Sequence, residues 1–335
     1  MKAAILSPVA WRTPPRHYGP WEQIASNITE GMMKLGVEVS LFATGDSITA
    51  GKLFSVCDTG YEEDRSQNAK VLECLHISNL MERAGDFDII HNNFDFLPLT
   101  YSRLIKTPII TTIHGFSSPK IIPVFKKYNA IGHYVSISNA DRSPELKYLA
   151  TVYNGLNTEY FEFNSKPQDY LLYFGRIHPD KGTAEAIEIA KKSRRKLVIA
   201  GLIQDNIYFK EKIEPELNSE IEFTRNAEPA MRNTLLKNAY ALLHPINFDE
   251  PFGMSVAEAM LCGTPVIAFN RGSMPELIRH QHTGFLVNSV YGAVEAVENV
   301  KYLKREDCFE WSRSHFSAEK MVKDYFALYK KILAL

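Results

Sequence analysis

Short apolar runs recur along this chain, and segments spaced like amphipathic helices fill the gaps between them. No other feature constrains the fold as strongly. A strand buried on both faces reads as one continuous apolar run, and joining such strands in parallel needs a crossover, usually a helix. In the first half the runs fall at Ala3–Leu6, Val37–Phe42, Ile89–His91, Pro108–Ile113, Tyr134–Ile137 and Thr151–Tyr153. In the second half they fall at Tyr170–Phe174, Lys196–Ala200, Glu220–Phe223, Ala241–His244, Pro265–Phe269 and Gly284–Val287. Ile24, Ile28 and Met32 predict a helix from Trp21 to Leu35, and Gly36 is a good stop. The fold class expected is α/β, with two doubly wound, Rossmann-like domains in 335 residues. The polar stretch EFNSKPQD, 162–169, reads as a linker, which places one domain at 1–164 and a second at 165–317. A last helix, 318–335, carries Met321, Tyr325, Leu328 and Ile332; it could pack on either domain, including back on the first.

Composition excludes several classes of function. Hydrophobic residues make up 45% and charged residues 23%, the profile of a soluble globular chain. The net charge of −1 gives no field to attract nucleic acid or an anionic membrane. Cys57, Cys74, Cys262 and Cys308 lack metal-ligand spacing and read as free thiols in a reducing, cytoplasmic setting. The opening MKAAILSPVAW suits a first strand better than a signal peptide. No apolar run nears the ~20 residues of a membrane span, so peripheral contact is the most a membrane could expect. Oligomeric state is not legible.

Ligands of doubly wound sheets bind beyond the carboxyl ends of the strands, which filters the candidate sites. GRIHPDKGT, 175–183, follows an apolar strand and leads into a helix. Gly175 and Gly182 allow close backbone approach, while Arg176 and Lys181 add positive charge beside a helix start, a combination that favours phosphate. It is neither a Walker loop nor a GxGxxG fingerprint. FDEPFGMSVAEAM, 248–260, follows the strand ALLH. After Phe252, the amides of Gly253, Met254 and Ser255 would open a second helix toward an anion. Ser255 and Glu258 have the spacing of a capping box, worth about 1 kcal/mol, which leaves Glu250 without a structural role. Two carboxylates flanking such a loop suit neighbouring sugar hydroxyls, because each offers two acceptor oxygens.

DEPFGMSVAEAMLCGTPVIAF resembles the Glu-x₇-Glu signature of family 4 (group 1) retaining glycosyltransferases, which have the GT-B fold. In the same order, YGPWEQ resembles their glycine-rich first loop, with Pro20 in place of a second glycine. TIHG, SISNADR, VYNGLNTEYF, GRIHPDKG and RGSMPELI…TGFLV resemble later motifs. The likeness covers nearly all of the chain apart from 51–85, and looks greatest to a compact bacterial subgroup with small or natural-product-like acceptors. It implies two domains facing a cleft, a nucleotide diphosphate sugar as donor substrate, a hydroxyl acceptor, and no cofactor or metal. By the same resemblance Arg176 and Lys181 hold the diphosphate, Glu258 the ribose, and Glu250 the transferred sugar. Gly175, Phe252, Gly253, Met254 and Ser255 lie against the donor. Gly19 approaches the diphosphate, and His114 lies near the reacting carbon. UDP-glucose is the donor favoured, with GDP-mannose next.

Other features are set aside. Asp86-Phe87-Asp88 looks like a metal-binding DxD but precedes a strand, at the wrong sheet edge. KKSRRK, 191–196, suits a helix C-terminus, where cations oppose the dipole. PKIIPVFKKY, 119–128, reads as a surface helix. Rival readings are a glycosidase built on Glu250 and Glu258, a GT-B epimerase or phosphorylase, and a non-catalytic nucleotide-sugar sensor.

Overall fold

The computed structural model describes residues 1–116, 118–225 and 229–334. The chain divides into two compact units, Met1–Gly155 with Ala318–Leu335, and Leu156–Ser317. Each is built on one parallel sheet, and sheets of this kind bury both faces under crossover helices.

In the first unit the strands are β1 (Lys2–Leu6), β2 (Glu38–Phe42), β3 (Lys52–Phe54), β4 (Ile89–Asn92), β5 (Ile109–Ile113), β6 (His133–Ser136) and β7 (Tyr148–Thr151). Their order is β3-β2-β1-β4-β5-β6-β7, all parallel. The order reverses between β1 and β4. The expected strands recur here within a residue or two, except that Thr151–Tyr153 is displaced to Tyr148–Thr151, with an irregular register against β6. β3 was not expected: it is three residues long, pairs only with β2 and is half exposed, so no apolar run marks it. The first helix runs Pro20–Lys34, one residue earlier than its spacing predicts. Proline is tolerated at a first helical position because the missing N–H would have no helical partner there.

The last helix, Ala318–Ile332, packs on Pro20–Lys34. Leu335, the end expected for it, lies outside the described residues. Its anchor is polar: Tyr329 Oη meets His91 Nδ1 at 2.8 Å, His91 Nε2 meets Thr112 Oγ1 at 2.7 Å, and Tyr325 Oη meets Thr112 Oγ1 at 2.7 Å. All four residues are buried. Two central strands are thereby tied to a helix more than two hundred positions away.

The second unit carries β8 (Tyr170–Phe174), β9 (Lys196–Gly201), β10 (Ile221–Arg225), β11 (Ala241–His244), β12 (Val266–Phe269) and β13 (Gly284–Val287). The order is β10-β9-β8-β11-β12-β13, again all parallel, with reversal between β8 and β11. The core joins Leu171, Tyr173, Ile199, Leu243 and Ile267 of the sheet to Ile187 and Val297 of its helices.

The stretch 162–169 is not a free linker. Glu162 and Asn164 donate backbone N–H to Asn233 Oδ1 and the Cys262 carbonyl, and Gln168 donates to the Asn238 carbonyl. Arg305, buried, donates to the carbonyls of Asn164, Lys237 and Ala239. The strap belongs to the second unit because its own backbone groups and the buried Arg305 find their partners there. The acidic DFD segment serves as a strand entry: Asp88 Oδ2 accepts the Lys2 N–H at 2.7 Å. KKSRRK closes a helix at Ser193, with Lys196 paired to Glu222 at 2.6 Å and Arg195 3.9 Å from the Tyr240 ring. Among the described residues no helix is long and apolar enough to cross a membrane.

Replacing Tyr329 by Phe removes the hydroxyl from His91 and leaves a buried ring nitrogen unsatisfied. The expected cost is about 1–3 kcal/mol, seen as a lower urea midpoint for the first unit with an unchanged m-value. An unaltered midpoint would show that the anchor carries no stability.

Candidate functional site

The reversal between β8 and β11 opens a crevice at the carboxyl end of the sheet, because the loops after these adjacent strands leave in opposite directions. Both basic and acidic candidates lie on those loops. After β8 come Gly175, Arg176 and Lys181; after β11 come Phe248, Glu250 and Phe252. The loops are joined backbone to backbone, with Asn247 N–H donating to the Asp180 carbonyl at 2.7 Å. Gly182, at φ 71°, sits where a Cβ would fall on the Pro245 carbonyl, so only glycine lets the loops close this tightly. Gly272, at φ 52°, makes the same kind of approach to the Glu250 backbone, whose carbonyl accepts the Ser273 N–H at 3.0 Å.

This framework brings Lys181 and Glu250 together. Lys181 Nζ bonds Glu250 Oε2. The two side chains are only 13% and 14% exposed, so the pair is poorly screened. Lys181 also lies 4.6 Å above the Phe248 ring. His244, the last residue of β11, approaches the same carboxylate oxygen at 3.8 Å. Burial first, then the charge of Lys181, pushes the His244 imidazole down to about 3, and its Nε2 lacks a hydrogen-bond partner. His244 is therefore neutral beside an ion pair. Arg176 is held apart from that pair: it bonds Gln204 and lies 3.7 Å from Asp180. The Gly175 N–H donates to the Ala200 carbonyl at 3.1 Å and its carbonyl packs against Gly201, so neither backbone group is spare for a ligand.

The capping box expected at Ser255 and Glu258 does not form. The helix runs Met254–Leu261, with Gly253 at φ 88° as its cap and no side-chain capping bond. The left-handed glycine closes the turn two residues before Ser255, which becomes a helical residue and cannot cap. Val256 N–H is the amide that bonds back to the Gly253 carbonyl, at 3.0 Å. The amides of Gly253, Met254 and Ser255 precede it, at the positive end of the helix dipole. Phe252 is buried, with its carbonyl accepting Ser273 Oγ at 2.7 Å. Glu258 is buried 3.4 Å from Arg232. Burial raises its carboxyl and Arg232 opposes that rise.

On the first unit, Gly19 is the cap of the Pro20–Lys34 helix. Pro20 offers no N–H, and the Glu22 carboxylate accepts the backbone N–H groups of Glu22 itself and Trp11. A carboxylate thus already occupies this helix start. His114 follows β5 and is buried. Its Nε2 meets Asn93 Oδ1 at 3.1 Å, and its ring stacks on Trp21 with centroids 5.3 Å apart. Against a carbonyl oxygen Nε2 carries the proton, which leaves Nδ1 as a bare lone pair without a partner. Burial pushes His114 down to about 3, so the ring is neutral.

His244 and Asn93 were missed although one ends a strand and the other directly follows one, the very signal that singled out His114. Arg232 gave no signal, because a cation on a polar helix reads as surface until the fold sets it against Glu258.

Residues 157–317 match the family model "Glycosyl transferases group 1". An uncharacterised glycosyltransferase of Methanocaldococcus jannaschii is 23% identical across 86% of this chain and 85% of its own length. Among solved structures, AviGT4, a glycosyltransferase involved in avilamycin A biosynthesis, superposes with a TM-score of 0.74 at 21% identity, over 100% of this chain and 98% of that one. Anabaena HepE in complex with UDP and glucose gives 0.71 at 18% identity, over 98% and 99% of the two chains. At these identities the structural likeness establishes the GT-B fold.

The Glu22 carboxyl, buried to 3% exposure, is pushed up to about 7 from an ordinary 4.5. Between those values the folded state holds a proton that the unfolded chain has lost, so stability falls as pH rises through that window, by up to about 1.4 kcal/mol per pH unit. Glu22→Gln removes this linkage. Its Tm should fall less than that of the parent between about pH 5 and pH 8, and parallel profiles would exclude the effect.

Proposed function

We propose that this chain, whose residues 157–317 match the group 1 glycosyltransferase model, moves a hexose from a nucleotide diphosphate sugar to an acceptor hydroxyl with retention of anomeric configuration. The observation that carries the reading is the Lys181–Glu250 pair on two loops at the β8/β11 reversal, beside a helix start with free amides. Cation, carboxylate and amides are the groups needed to hold a diphosphate and a sugar side by side. UDP-glucose is the donor favoured and GDP-mannose the next; HepE, a neighbour in fold, was crystallised with UDP and glucose.

In this reading the diphosphate lies on Arg176, Lys181 and the amides of Gly253, Met254 and Ser255. Gly175 and Phe252 supply backbone surface, and Glu258 accepts ribose hydroxyls. Glu250 accepts hydroxyls of the sugar, sharing its ammonium partner with the phosphate. As the anomeric C–O bond breaks, negative charge grows on the diphosphate oxygen. Lys181 and Arg176 stabilise it from fixed positions, the role a divalent ion would otherwise fill, so transfer needs no metal. The acceptor oxygen bonds to the anomeric carbon from the face the diphosphate leaves, and the acceptor's proton passes to that diphosphate. On the first unit, Gly19 offers close backbone approach, and the bare Nδ1 of neutral His114 accepts a hydrogen bond from a substrate hydroxyl. With such a donor, a cytoplasmic location is the one proposed.

A thermal-shift screen of nucleotides and nucleotide sugars tests the donor. A ligand at about a hundred times its Kd adds about 2.7 kcal/mol to the folded state, so UDP-glucose should raise Tm well above glucose alone. No shift with any nucleotide would refute the reading. Lys181→Ala should lower turnover about 10²-fold or more, and a near-normal rate would remove its role. The anomeric configuration of the product, read by NMR, decides retention.

A further inference from the structure

The order reversal in the first unit, between β1 and β4, also opens a crevice, and it is occupied by an unexpected set of side chains. A cavity of about 490 Å³ lies there. One wall comes from the segment after β1: Pro8, Ala10, Trp11, Tyr18, Pro20, Trp21 and Glu22. Phe94, Asp95, Phe96 and Leu97 follow β4, and Tyr61 and Glu73 complete the lining. The volume suits a small organic ligand, and apolar rings with a few convergent polar groups are the usual lining of such a site. The unusual element is charge. The described lining includes three carboxylates and no lysine, arginine or histidine.

These carboxylates are built in. Glu22 is buried at the helix start. Glu73 accepts the Tyr61 hydroxyl at 3.1 Å. Asp95 stands at φ 94°, a region that costs a non-glycine residue energy. The Asn92 side chain holds that turn, donating to the Asp95 carbonyl at 2.7 Å and accepting the Phe94 N–H at 2.9 Å. Each carboxyl lies above its ordinary range because burial disfavours its charge, and the charged neighbours that act on Glu22 and Asp95 are further carboxylates, Glu63 and Glu73 respectively. Glu22 is buried, and Glu73 and Asp95 are half-buried; a carboxylate withdrawn from water without a cation is costly, and a ligand that brings one recovers part of that cost. Glu22, Glu73 and Asp95 do not gather into a group able to hold a metal ion. Spread around aromatic rings, they match an organic ammonium, whose charge the ring faces also attract.

We propose that this cavity binds a hydroxylated ring bearing a protonated amine, an amino sugar or a close relative, as the acceptor. The ammonium is held by Glu22, Glu73 and Asp95, the ring faces lie on Trp11 and Trp21, and a ring hydroxyl is the nucleophile in the transfer already written. The assignment of acceptor role rests on the glycosyl-transfer reading; the ligand class rests on the cavity alone.

Trp11 and Trp21 make the test optical. The whole chain, with UDP present, is titrated at about pH 7 with glucosamine, glucose and N-acetylglucosamine while tryptophan emission is followed. Glucosamine differs from glucose by one ammonium in place of a hydroxyl, and acetylation removes that charge. Glucosamine should saturate the change at a concentration about tenfold or more below either neutral sugar, the scale of one charge-assisted contact. Glu22→Gln, Glu73→Gln and Asp95→Asn together should abolish the preference. Equal affinities in the parent, or an undiminished preference in the triple variant, would overturn the proposal; the parent comparison needs no variant to fold. The Tm shift with UDP is read in the same samples. A UDP shift without an amine preference sinks the ligand class and spares the transferase, whereas an amine preference with no nucleotide shift keeps the ligand class and removes the acceptor role.

Discussion

The closure of one loop onto another, after β8 and after β11, is the contact on which the candidate donor site depends. It is made first by backbone: Asn247 donates to the Asp180 carbonyl, and Gly182 yields the space that the Pro245 carbonyl takes. Only then do side chains meet, Lys181 on Glu250. A flexible lysine spends rotamer entropy to stay in one place, and a surface ion pair seldom repays it. Here the pair is largely covered and backed by the Phe248 ring, so its geometry is set before any ligand arrives. Electrostatic assistance to a leaving group is greatest when the charges need no rearrangement, which is the role proposed for this pair.

The two units use burial to opposite ends. In the second, opposite charges are partly or fully covered as neighbours: Lys181 with Glu250, and Arg232 with the buried Glu258. In the function proposed, the cations would meet a diphosphate and the carboxylates would accept hydroxyls. In the first, Glu22, Glu73 and Asp95 share a cavity without a basic side chain in its described lining. Burial also keeps His91, His114 and His244 neutral, so none of these imidazoles supplies charge at ordinary pH. Fixed charge comes from lysine, arginine and carboxylates, while the histidines offer lone pairs or lock the fold.

Much of this was legible in the residues. β8, β11 and β13 lie where their apolar runs predict them, because a strand buried on both faces has little other way to be written. The glycine-and-cation loop and the acidic loop were found through the rule that ligands gather past strand ends. The capping box was misread because Ser-x-x-Glu spacing carries no record of where the preceding turn closes; Gly253 closes it earlier. The supposed linker was misread because polarity says a segment can face water, not that its amides lack partners. β3 escaped notice because three half-exposed edge residues bury too little to leave a pattern.

By itself, the sequence determined the local elements and the chemical types at each strand end, since periodicity and residue chemistry act over a few neighbours. The order of strands in each sheet was decided only in three dimensions. That order sets β8 beside β11 and β1 beside β4, and so Lys181 against Glu250 and the rings of Trp11 and Trp21 around a cavity shared with Asp95. The reason is physical: ion pairs and cavities depend on distance through space, and residues tens of positions apart acquire a distance only when the sheet between them is assembled.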